Sequence, residues 1–249
     1  MNGIRKRALA LGCAAAAVWA GAGEDLTPEA ILRKTDEARG NLTGVRWRVE
    51  LAVNEGGRTN SQAYAVRARG HDFLAEAVEP LKLKGNKVLM VKGNMWFHKP
   101  DLSKPVPISQ RQKLTGNAAY GDIAATNYAQ DYEPGLLPDE TVGDEACFVF
   151  DLKANTTKAT YDRIRYWVSR DRLVALKAEY FTVSGKKFKS AVMEYANTVD
   201  AAAGERRPFI SRMLIKDELM TSDTTVMSFS DPMIEEIPPR LFDVNRLTD

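Results

Sequence analysis

The stretch of sequence that decides the fold is residues 45–53, which read VRWRVELAV. Its large apolar side chains, Trp47, Val49 and Leu51, alternate with arginine, glutamate and alanine. Alternation with a period of two places successive side chains on opposite faces of a β-strand. The stretch therefore predicts a strand with one buried face and one face in water. The turn signal EGGR at residues 55–58 predicts that a hairpin follows.

The same pattern recurs along most of the chain. Segments flanking glycine turns predict two further hairpins, over residues 63–78 and 87–98. The second half predicts six more strands, over residues 146–154, 159–169, 174–183, 186–197, 209–217 and 224–230. Strands at this spacing with short turns favour an antiparallel meander. The chain lacks the alternation of strands and helices that indicates a parallel sheet.

One helix is predicted ahead of the first strand. Thr27 is a suitable N-cap, Pro28 suits the first helical position, and Glu29 in the first turn is favoured by the helix dipole. The apolar spacing that follows fits an amphipathic helix ending near Gly40. The sequence therefore predicts one helix followed by strands.

Residues 1–22 have the three-part order of a secretory signal peptide. A basic cluster at residues 5–7 precedes a short apolar run, and an Ala-x-Ala cleavage site ends at Ala22. The apolar run is shorter than the roughly 20 residues that a membrane-spanning helix needs. A buried N-terminal helix is one alternative, and lipidation at Cys13 in a partial lipobox is another. We expect export to the periplasm with cleavage near Ala22.

The charge balance changes if this signal is removed. The chain of 249 residues has 35 Lys and Arg against 33 Asp and Glu, and the signal contains three basic residues and no acidic one. The exported chain, residues 23–249, then has 32 basic against 33 acidic residues and fits a single domain. Nucleic-acid binding needs a clustered basic excess, so no nucleic-acid partner is expected. Removal of the signal also removes Cys13, so Cys147 has no second cysteine with which to form a disulfide in the exported chain. We expect it to be a buried structural thiol.

Residues 99–144 interrupt the strand pattern because they are rich in Pro, Gly, Asn and Gln. An ordered connection of this length in a compact domain is usually functional, such as a lid or a binding loop. Short helices are expected over residues 109–114 and 123–130. Near the C-terminus, residues 237–242 are expected to pack a short turn against an open edge of the sheet.

The sequence gives little support to an enzyme. His71 and His98 are the only histidines and lack metal-ligand spacing. No H-E-x-x-H, G-x-S-x-G, P-loop or dinucleotide-binding glycine motif is present. Both histidines are expected to be solvated or to cap strand ends. We expect no enzyme, no metal and no cofactor; a hydrogen-bonded acid–base pair in a pocket would reopen that class.

A recognisable set of residues spans 79–132. Its most specific element is Met-Trp-aromatic-x-x-Pro at residues 95–100, followed by Asp-Tyr-Glu at 131–133 and Tyr-Trp-Val at 166–168. On these residues the chain resembles the periplasmic outer-membrane lipoprotein-sorting proteins, relatives of the lipoprotein carrier LolA. The likeness extends over most of residues 25–245 and is closest to a divergent, LolA-like branch.

The resemblance implies a mainly β fold with some α: an incomplete, strongly curved antiparallel β-barrel with an N-terminal helix and a helical lid. In such a half-barrel the concave face forms an apolar cavity that accepts acyl chains. Residues 99–144 fall where the lid is expected. The implied function is a monomeric periplasmic carrier that binds lipid or lipoprotein acyl chains and transfers them toward the outer membrane. The implied partner is an inner-membrane ABC or RND-type transporter.

A set of apolar and aromatic side chains is predicted to line the cavity, because strand alternation or a place in the lid directs them inward. The set is Trp47, Val49, Leu51, Met90, Met95, Trp96, Tyr120, Ile123, Tyr128, Leu136, Ile164, Tyr166 and Val168. Methionine and aromatic side chains suit acyl chains because they repack around variable shapes. For each residue the alternative is ordinary core packing.

A second hypothesis uses the same fold without carrier activity, as a periplasmic sensor or an accessory module of a membrane exporter. The two hypotheses differ in what lies beneath residues 99–144. A contiguous apolar cavity there favours the carrier, and a solidly packed interior favours the sensor or module.

Overall fold

The computed structural model describes residues 26–200, 204–219 and 223–248, and most of them form β-strands. Two α-helices are present in this part of the chain, α1 (Pro28–Glu37) and α2 (Tyr128–Asp131). The strands are β1 (Val45–Glu55), β2 (Arg58–Arg69), β3 (Asp72–Glu79), β4 (Lys87–Val91), β5 (Asn94–His98), β6 (Val106–Ile108), β7 (Lys113–Thr115), β8 (Ala118–Ala119), β9 (Tyr132–Val142), β10 (Glu145–Ala154), β11 (Arg163–Ser169), β12 (Ala175–Phe181), β13 (Lys187–Glu194), β14 (Asn197–Asp200), β15 (Arg206–Phe209), β16 (Arg212–Asp217) and β17 (Thr224–Ile234). The predicted signal peptide and Cys13 lie outside the described residues.

Thirteen strands form one antiparallel sheet, in the order β6-β5-β4-β3-β2-β1-β17-β16-β13-β12-β11-β10-β9. The sheet is strongly curved and does not close, so β6 and β9 are its two edges. Two small ribbons, β14–β15 and β7–β8, lie outside it. The predicted incomplete antiparallel barrel is confirmed. Because β17 pairs with β1, the first and last strands meet in the middle of the sheet.

Strand β1 shows why the alternation in residues 45–53 specifies this architecture. It pairs with β2 on one side and with β17 on the other, so Val49 lies between Tyr64 and Phe229. Trp47, Val49 and Leu51 are buried in the core on the concave face of the sheet. The predicted strand with one buried face is confirmed. A shift of one residue in either pairing would turn this apolar set away from the core.

Helix α1 packs into the concavity. Thr27 Oγ1 accepts a hydrogen bond from the Ala30 amide at 3.2 Å, and Pro28 occupies the first turn, as predicted. Ile31 and Leu32 are buried in the same core as β1. The helix therefore packs its apolar face against the core of the half-barrel. No helix in the described parts of the chain has the length and apolar character needed to cross a bilayer.

The predicted helical lid is largely wrong in its secondary structure. Residues 109–114 form turns and the start of β7 instead of a helix, and only the single turn α2 is α-helical near residues 123–130. A 3₁₀ turn, Tyr120–Asp122, lies between them. The end of the segment is β9, which pairs with β10 along its length. The prolines in residues 132–142 are typical of a loop. An edge strand tolerates proline, because the backbone on its outer side forms no hydrogen bonds to a neighbouring strand.

Three predicted strands also differ from the structure. The strand predicted over residues 159–169 starts only at Arg163, because the preceding residues leave the sheet and contact residues 110–111. The strand predicted over residues 186–197 ends at Glu194, where the chain leaves the main sheet for the β14–β15 ribbon. The strand predicted over residues 209–217 starts only at Arg212, because Phe209 pairs with Asn197 in that ribbon. All three changes involve pairing or contacts between separate segments, which local alternation does not report.

The C-terminal residues cover the convex face instead of an edge. Ile237, Phe242 and Leu247 form a buried cluster with Leu89 of β4. The short turn predicted near residues 237–242 exists as a 3₁₀ helix, Pro239–Phe242. The prediction that it packs against an open edge is wrong. The outward-facing side chains of β3–β5 are apolar, and the C-terminal residues cover them because this withdraws apolar surface from water.

Candidate ligand-binding cleft

Residues 109–131 connect β6 to β9 and therefore join the two edges of the large sheet. We call this stretch the crossing segment. It spans the concave face and contains Tyr120, Ile123 and Tyr128 of the predicted lid set. Ile123 and Tyr128 are buried in the concave core. The crossing segment therefore holds the position expected of a lid, although most of it is not helical.

The first anchor of the crossing segment lies over the middle of the sheet. The Asn117 backbone amide donates a hydrogen bond to Thr225 Oγ1 at 2.8 Å, and its side-chain amide donates to the Asp223 carbonyl oxygen at 3.0 Å. Gly116 has φ +50°, and a Cβ there would lie 2.3 Å from Thr225 Oγ1 and 2.7 Å from Val53. Glycine thus allows the backbone to approach β1 and β17 closely.

The second anchor is Asp36 of α1. Its carboxylate accepts hydrogen bonds from the backbone amides of Tyr128 and Ala129, both at 2.9 Å. These amides begin α2 and have no partner inside the helix. Burial raises the pKa of Asp36 from 3.8 to about 6, while the two amides and Arg39 oppose the shift. Asp36 thereby ties the crossing segment to the N-terminal helix.

Between the first anchor and the β12–β13 hairpin opens a cleft of 680 Å³. We call it the hairpin cleft. Its apolar lining comes from Ala118 and Ala119 of the crossing segment and from Phe181, Val183 and Phe188 of the hairpin. The remaining lining residues are Arg111, Lys113, Gly116, Asn117, Thr160, Tyr161, Asp162, Thr182, Ser184, Lys189 and Asp217.

A buried polar cluster lies at the base of the hairpin cleft. Lys189 Nζ donates to Asp122 Oδ2 at 2.8 Å and also to the Tyr161 hydroxyl. The Tyr161 hydroxyl donates to Asp122, with O···O distances of 2.8 and 2.9 Å to its two oxygens. The Lys189 and Asp122 side chains are 6% and 3% exposed. Burial lowers the pKa of Lys189, opposed by Asp122, and burial together with Asp122 raises the pKa of Tyr161.

Two exposed ion pairs flank the entrance of the hairpin cleft. Arg111 Nη1 lies 2.6 Å from Asp162 Oδ1, and Lys113 Nζ lies 3.0 Å from Glu55 Oε1. Arg111 also donates to the Ala159 carbonyl oxygen at 2.8 Å, which fixes the loop before β11 against the crossing segment. Exposed pairs of this kind contribute little stability, about 0–1 kcal/mol each. Their effect is to leave the entrance without a strong net charge.

Most of the predicted site residues lie together in the concave core. Ten of them are buried there: Trp47, Val49, Leu51, Met90, Met95, Ile123, Tyr128, Ile164, Tyr166 and Val168. Tyr120 is half-buried against the same core, with its ring centroid 6.4 Å from that of Phe97. None of these residues belongs to the lining of the hairpin cleft. Whether they contact a ligand stays a prediction.

The interior beneath α2 is filled by these side chains. The Tyr128 ring packs edge-on against those of Tyr132 and Tyr166, at centroid distances of 5.0 and 5.3 Å. The buried guanidinium of Arg39 lies 5.9 Å from the centre of the Tyr128 ring. The hairpin cleft, by contrast, lies beside the crossing segment and not under α2.

Two predicted positions are wrong. Met95 and Trp96 cannot both line the cavity wall as predicted, because adjacent residues of a strand face opposite sides of a sheet. Trp96 packs on the convex face against the C-terminal cluster. Leu136 lies on β9 opposite Phe150 and is 59% exposed. It has no strand on its outer side to cover it, because β9 is an edge.

The polar cluster was not predicted from the sequence. Lys189 lies on the same face of β13 as Ala191 and Met193, so a lysine occupies a position where the alternation predicts an apolar residue. That break in alternation was the available signal. Asp122 and Tyr161 carried none, because they lie in a turn and a loop.

The described residues contain no group of His, Cys, Asp and Glu that could hold a metal ion. His98 is buried, and its Nε2 lies 3.0 Å from the Leu102 carbonyl oxygen, as suits a structural residue. Burial lowers the pKa of His71 to about 4. Cys147 is a buried free thiol, as predicted.

Comparison with solved structures places this geometry among related folds. A LolA superfamily protein from Nitrosomonas europaea is 30% identical, with a TM-score of 0.76 over 87% of this chain and 97% of that one. A domain of an outer membrane lipoprotein-sorting protein from Vibrio parahaemolyticus is 16% identical, with a TM-score of 0.75 over 89% of this chain and 98% of that one.

A DUF1329 family protein from Desulfovibrio piger is 17% identical, with a TM-score of 0.73 over 88% of this chain and 97% of that one. A family model described only as an uncharacterized protein matches residues 70–249. No curated protein matches the chain. The identity with the Nitrosomonas europaea protein over nearly its whole length, together with the shared half-barrel, shows that the chain belongs to the LolA superfamily as a divergent member.

Proposed function

We propose that this protein is a periplasmic carrier that binds an acyl chain of a lipid or lipoprotein in the hairpin cleft and transfers it toward the outer membrane. Membership of the LolA superfamily supports a role in lipoprotein sorting or a related transfer. The observation that carries the proposal is the cleft of 680 Å³ between the crossing segment and the β12–β13 hairpin.

The dimensions and lining of the hairpin cleft fit this role. Sites for small ligands usually measure about 300–1,000 Å³, with apolar walls and a few convergent polar groups. Phe181 and Phe188 supply aromatic surface, Ala118 and Ala119 leave room, and the buried Lys189 provides a polar contact. Apolar surface that a chain covers is withdrawn from water, which favours binding by about 25 cal/mol per Å².

The compartment and partners follow from the same proposal. Residues 1–22 act as the signal peptide, and the exported chain works as a monomer in the periplasm. An inner-membrane ABC or RND-type transporter supplies the ligand. The chain acts by binding and transfer, and the hydrogen-bonded cluster of Lys189, Tyr161 and Asp122 serves to contact the ligand rather than to catalyse a reaction.

A binding assay tests the proposal directly. The exported chain is titrated with a palmitoyl probe carrying an environment-sensitive fluorophore, and we expect saturable binding. Phe188→Asp should weaken binding by about tenfold, because a carboxylate in an apolar wall disfavours a hydrocarbon chain. The matched control is Val192→Asp on the same strand, since Val192 is 48% exposed and does not line the cleft. The control should bind like the wild type.

Native mass spectrometry of the protein purified from the periplasm provides a second measurement, with co-purified lipid as the expected result. If the protein carries no lipid and the probe does not bind, the carrier proposal is wrong.

The second candidate is a sensor or an accessory module of an exporter. The filled interior beneath α2, where Tyr128 packs against Tyr132 and Tyr166, favours it. Affinity capture from solubilised inner membranes distinguishes the two functions. Recovery of one transporter or signalling protein, together with absent acyl binding, would favour the second candidate.

A further inference from the structure

Lys189 occupies an unusual place for a charged residue. It lies on the concave face of β13, opposite Tyr180 on β12 and Asp217 on β16. Its neighbours on the same face of the strand, Ala191 and Met193, are buried core residues. Lysine is rarely buried unless it is paired, because removing its charge from water is costly. Lys189 meets this condition through Asp122, and because it also lines the hairpin cleft it is placed to contact a ligand as well.

The hydrogen bonds of the cluster leave one donor of Lys189 available. An ammonium group carries three N–H donors, and Lys189 uses two of them, on Asp122 and on the Tyr161 hydroxyl. The Asp122 carboxylate is better satisfied, because it also accepts from Tyr161 and from the Ala119 amide at 2.8 Å. Among the described residues the third donor of Lys189 has no hydrogen-bond acceptor. Since Lys189 lines the hairpin cleft, a ligand can supply one.

The charges around the cleft indicate what kind of acceptor fits. Lys189 and Asp122 are 2.8 Å apart and cancel each other. The entrance pairs formed by Arg111 and Lys113 are likewise balanced by carboxylates. A free carboxylate or phosphate would therefore enter without a compensating charge, and Asp217 also lines the cleft. A neutral carbonyl oxygen accepts from the ammonium group and adds no charge.

Resting on the carrier function proposed above, we infer that Lys189 donates a hydrogen bond to the carbonyl oxygen of an ester- or amide-linked acyl chain. The hydrocarbon lies against the apolar walls of the hairpin cleft, and the linkage is held at its base. The site thereby selects esterified or amidated acyl chains over free fatty acids and over chains without a carbonyl group.

The test compares three ligands of equal chain length as competitors of the fluorescent palmitoyl probe. They are methyl palmitate, which has a neutral carbonyl; hexadecyl methyl ether, which has none; and palmitate, which is an anion. The wild type should prefer the methyl ester to the ether by about tenfold, the range expected for one hydrogen bond to a charged donor. Palmitate should bind more weakly than the methyl ester.

The variant must remove the lysine without leaving its partner buried and charged. Lys189→Met combined with Asp122→Asn replaces the whole pair, which is far less damaging than removing one partner. In this variant the preference for the ester over the ether should fall below about twofold, with ether binding retained. The matched control is Lys187→Met combined with Glu179→Gln, an ion pair between β13 and β12 that does not line the cleft. It should keep the full preference.

A second measurement on the wild type is independent of how the variant folds. Methyl palmitate labelled with carbon-13 at the carbonyl should show a downfield shift of that resonance when it binds. Equal affinity for ester and ether, tighter binding of palmitate, or an unmoved carbonyl resonance would each overturn the inference while leaving the carrier function standing. If none of the three ligands binds, both the inference and the carrier function are wrong.

Discussion

Asp36 links the N-terminal helix to the crossing segment and makes the stability of the fold depend on pH in an unusual direction. Its carboxylate is buried and accepts the Tyr128 and Ala129 amides, each at 2.9 Å. Burial raises the pKa of this carboxyl group from 3.8 to about 6. The folded state therefore binds a proton more tightly than the unfolded state does. We expect protonation of Asp36 to stabilise the folded chain.

The sign and size of the effect follow from proton linkage. The stability from a raised pKa is fully present below pH 3.8 and is lost as the pH rises through about 6. Each pKa unit corresponds to about 1.4 kcal/mol, so the full effect of Asp36 is about 3 kcal/mol. Between pH 7 and pH 5 linkage gives a gain of roughly 1.3 kcal/mol. His71, whose pKa burial lowers to about 4, and carboxylates whose pKa is lowered in the folded state oppose it, so the contribution of Asp36 must be isolated.

The comparison uses Asp36→Asn, which cannot titrate and keeps one oxygen for the backbone amides. Urea unfolding followed by tryptophan fluorescence gives the free energy of unfolding from pH 5 to pH 8. The stability of the wild type relative to Asp36→Asn should increase by roughly 1.3 kcal/mol on going from pH 7 to pH 5. The control is Asp200→Asn, whose native side chain is 84% exposed. The stability of the wild type relative to this control should not change between pH 7 and pH 5.

A wild-type advantage over Asp36→Asn that stays flat between pH 7 and pH 5 would refute this reasoning. It would mean that Asp36 ionises equally easily in the folded and unfolded states. The anchor between α1 and α2 would then be solvated rather than buried.

Three other predictions concern packing, and urea unfolding or thiol chemistry checks them. Gly40→Ala should lower the free energy of unfolding by roughly 2 kcal/mol, because φ is +99° and the added Cβ would lie 2.8 Å from Trp47. The control Gly185→Ala, with φ +82° and open space around it, should lower it by about 1 kcal/mol. Equal costs would remove the contact with the tryptophan ring as a cause. Phe242→Ala should cost about 3 kcal/mol and expose the C-terminal residues to limited proteolysis, whereas an unchanged cleavage pattern would mean that the convex cluster does not hold them. The buried Cys147 thiol, whose pKa burial raises, should react with a thiol reagent only after unfolding; rapid reaction of the native protein would contradict its burial.

The strands show where sequence reasoning works and where it stops. β1 was predictable because its alternation is a property of adjacent residues, and the pleat converts it directly into a buried and an exposed face. β9 was missed, since Pro134 and Pro138 are signals for loops. An edge strand needs a ladder on one side only, and whether a segment lies at an edge depends on the order of the whole sheet.

The cavity wall shows the same limit. Trp96 follows Met95 directly and so faces the other side of the sheet, which its membership of a distinctive motif obscured. Leu136 has the right face but no covering strand. Alternation assigns a residue to a face, but burial on that face depends on what packs above it.

By itself the sequence determined the antiparallel strands, the capped first helix and, through its resemblance, the half-barrel, because these depend on local periodicity and on short motifs. Only the tertiary structure decided where the cleft opens and which polar groups lie at its base. Lys189 is 67 residues from Asp122 and 28 from Tyr161 along the chain. They meet because the crossing segment, the loop before β11 and strand β13 converge on the concave face of a curved sheet. Curvature of this kind accumulates from the twist of many paired strands, so no short stretch of sequence contains it.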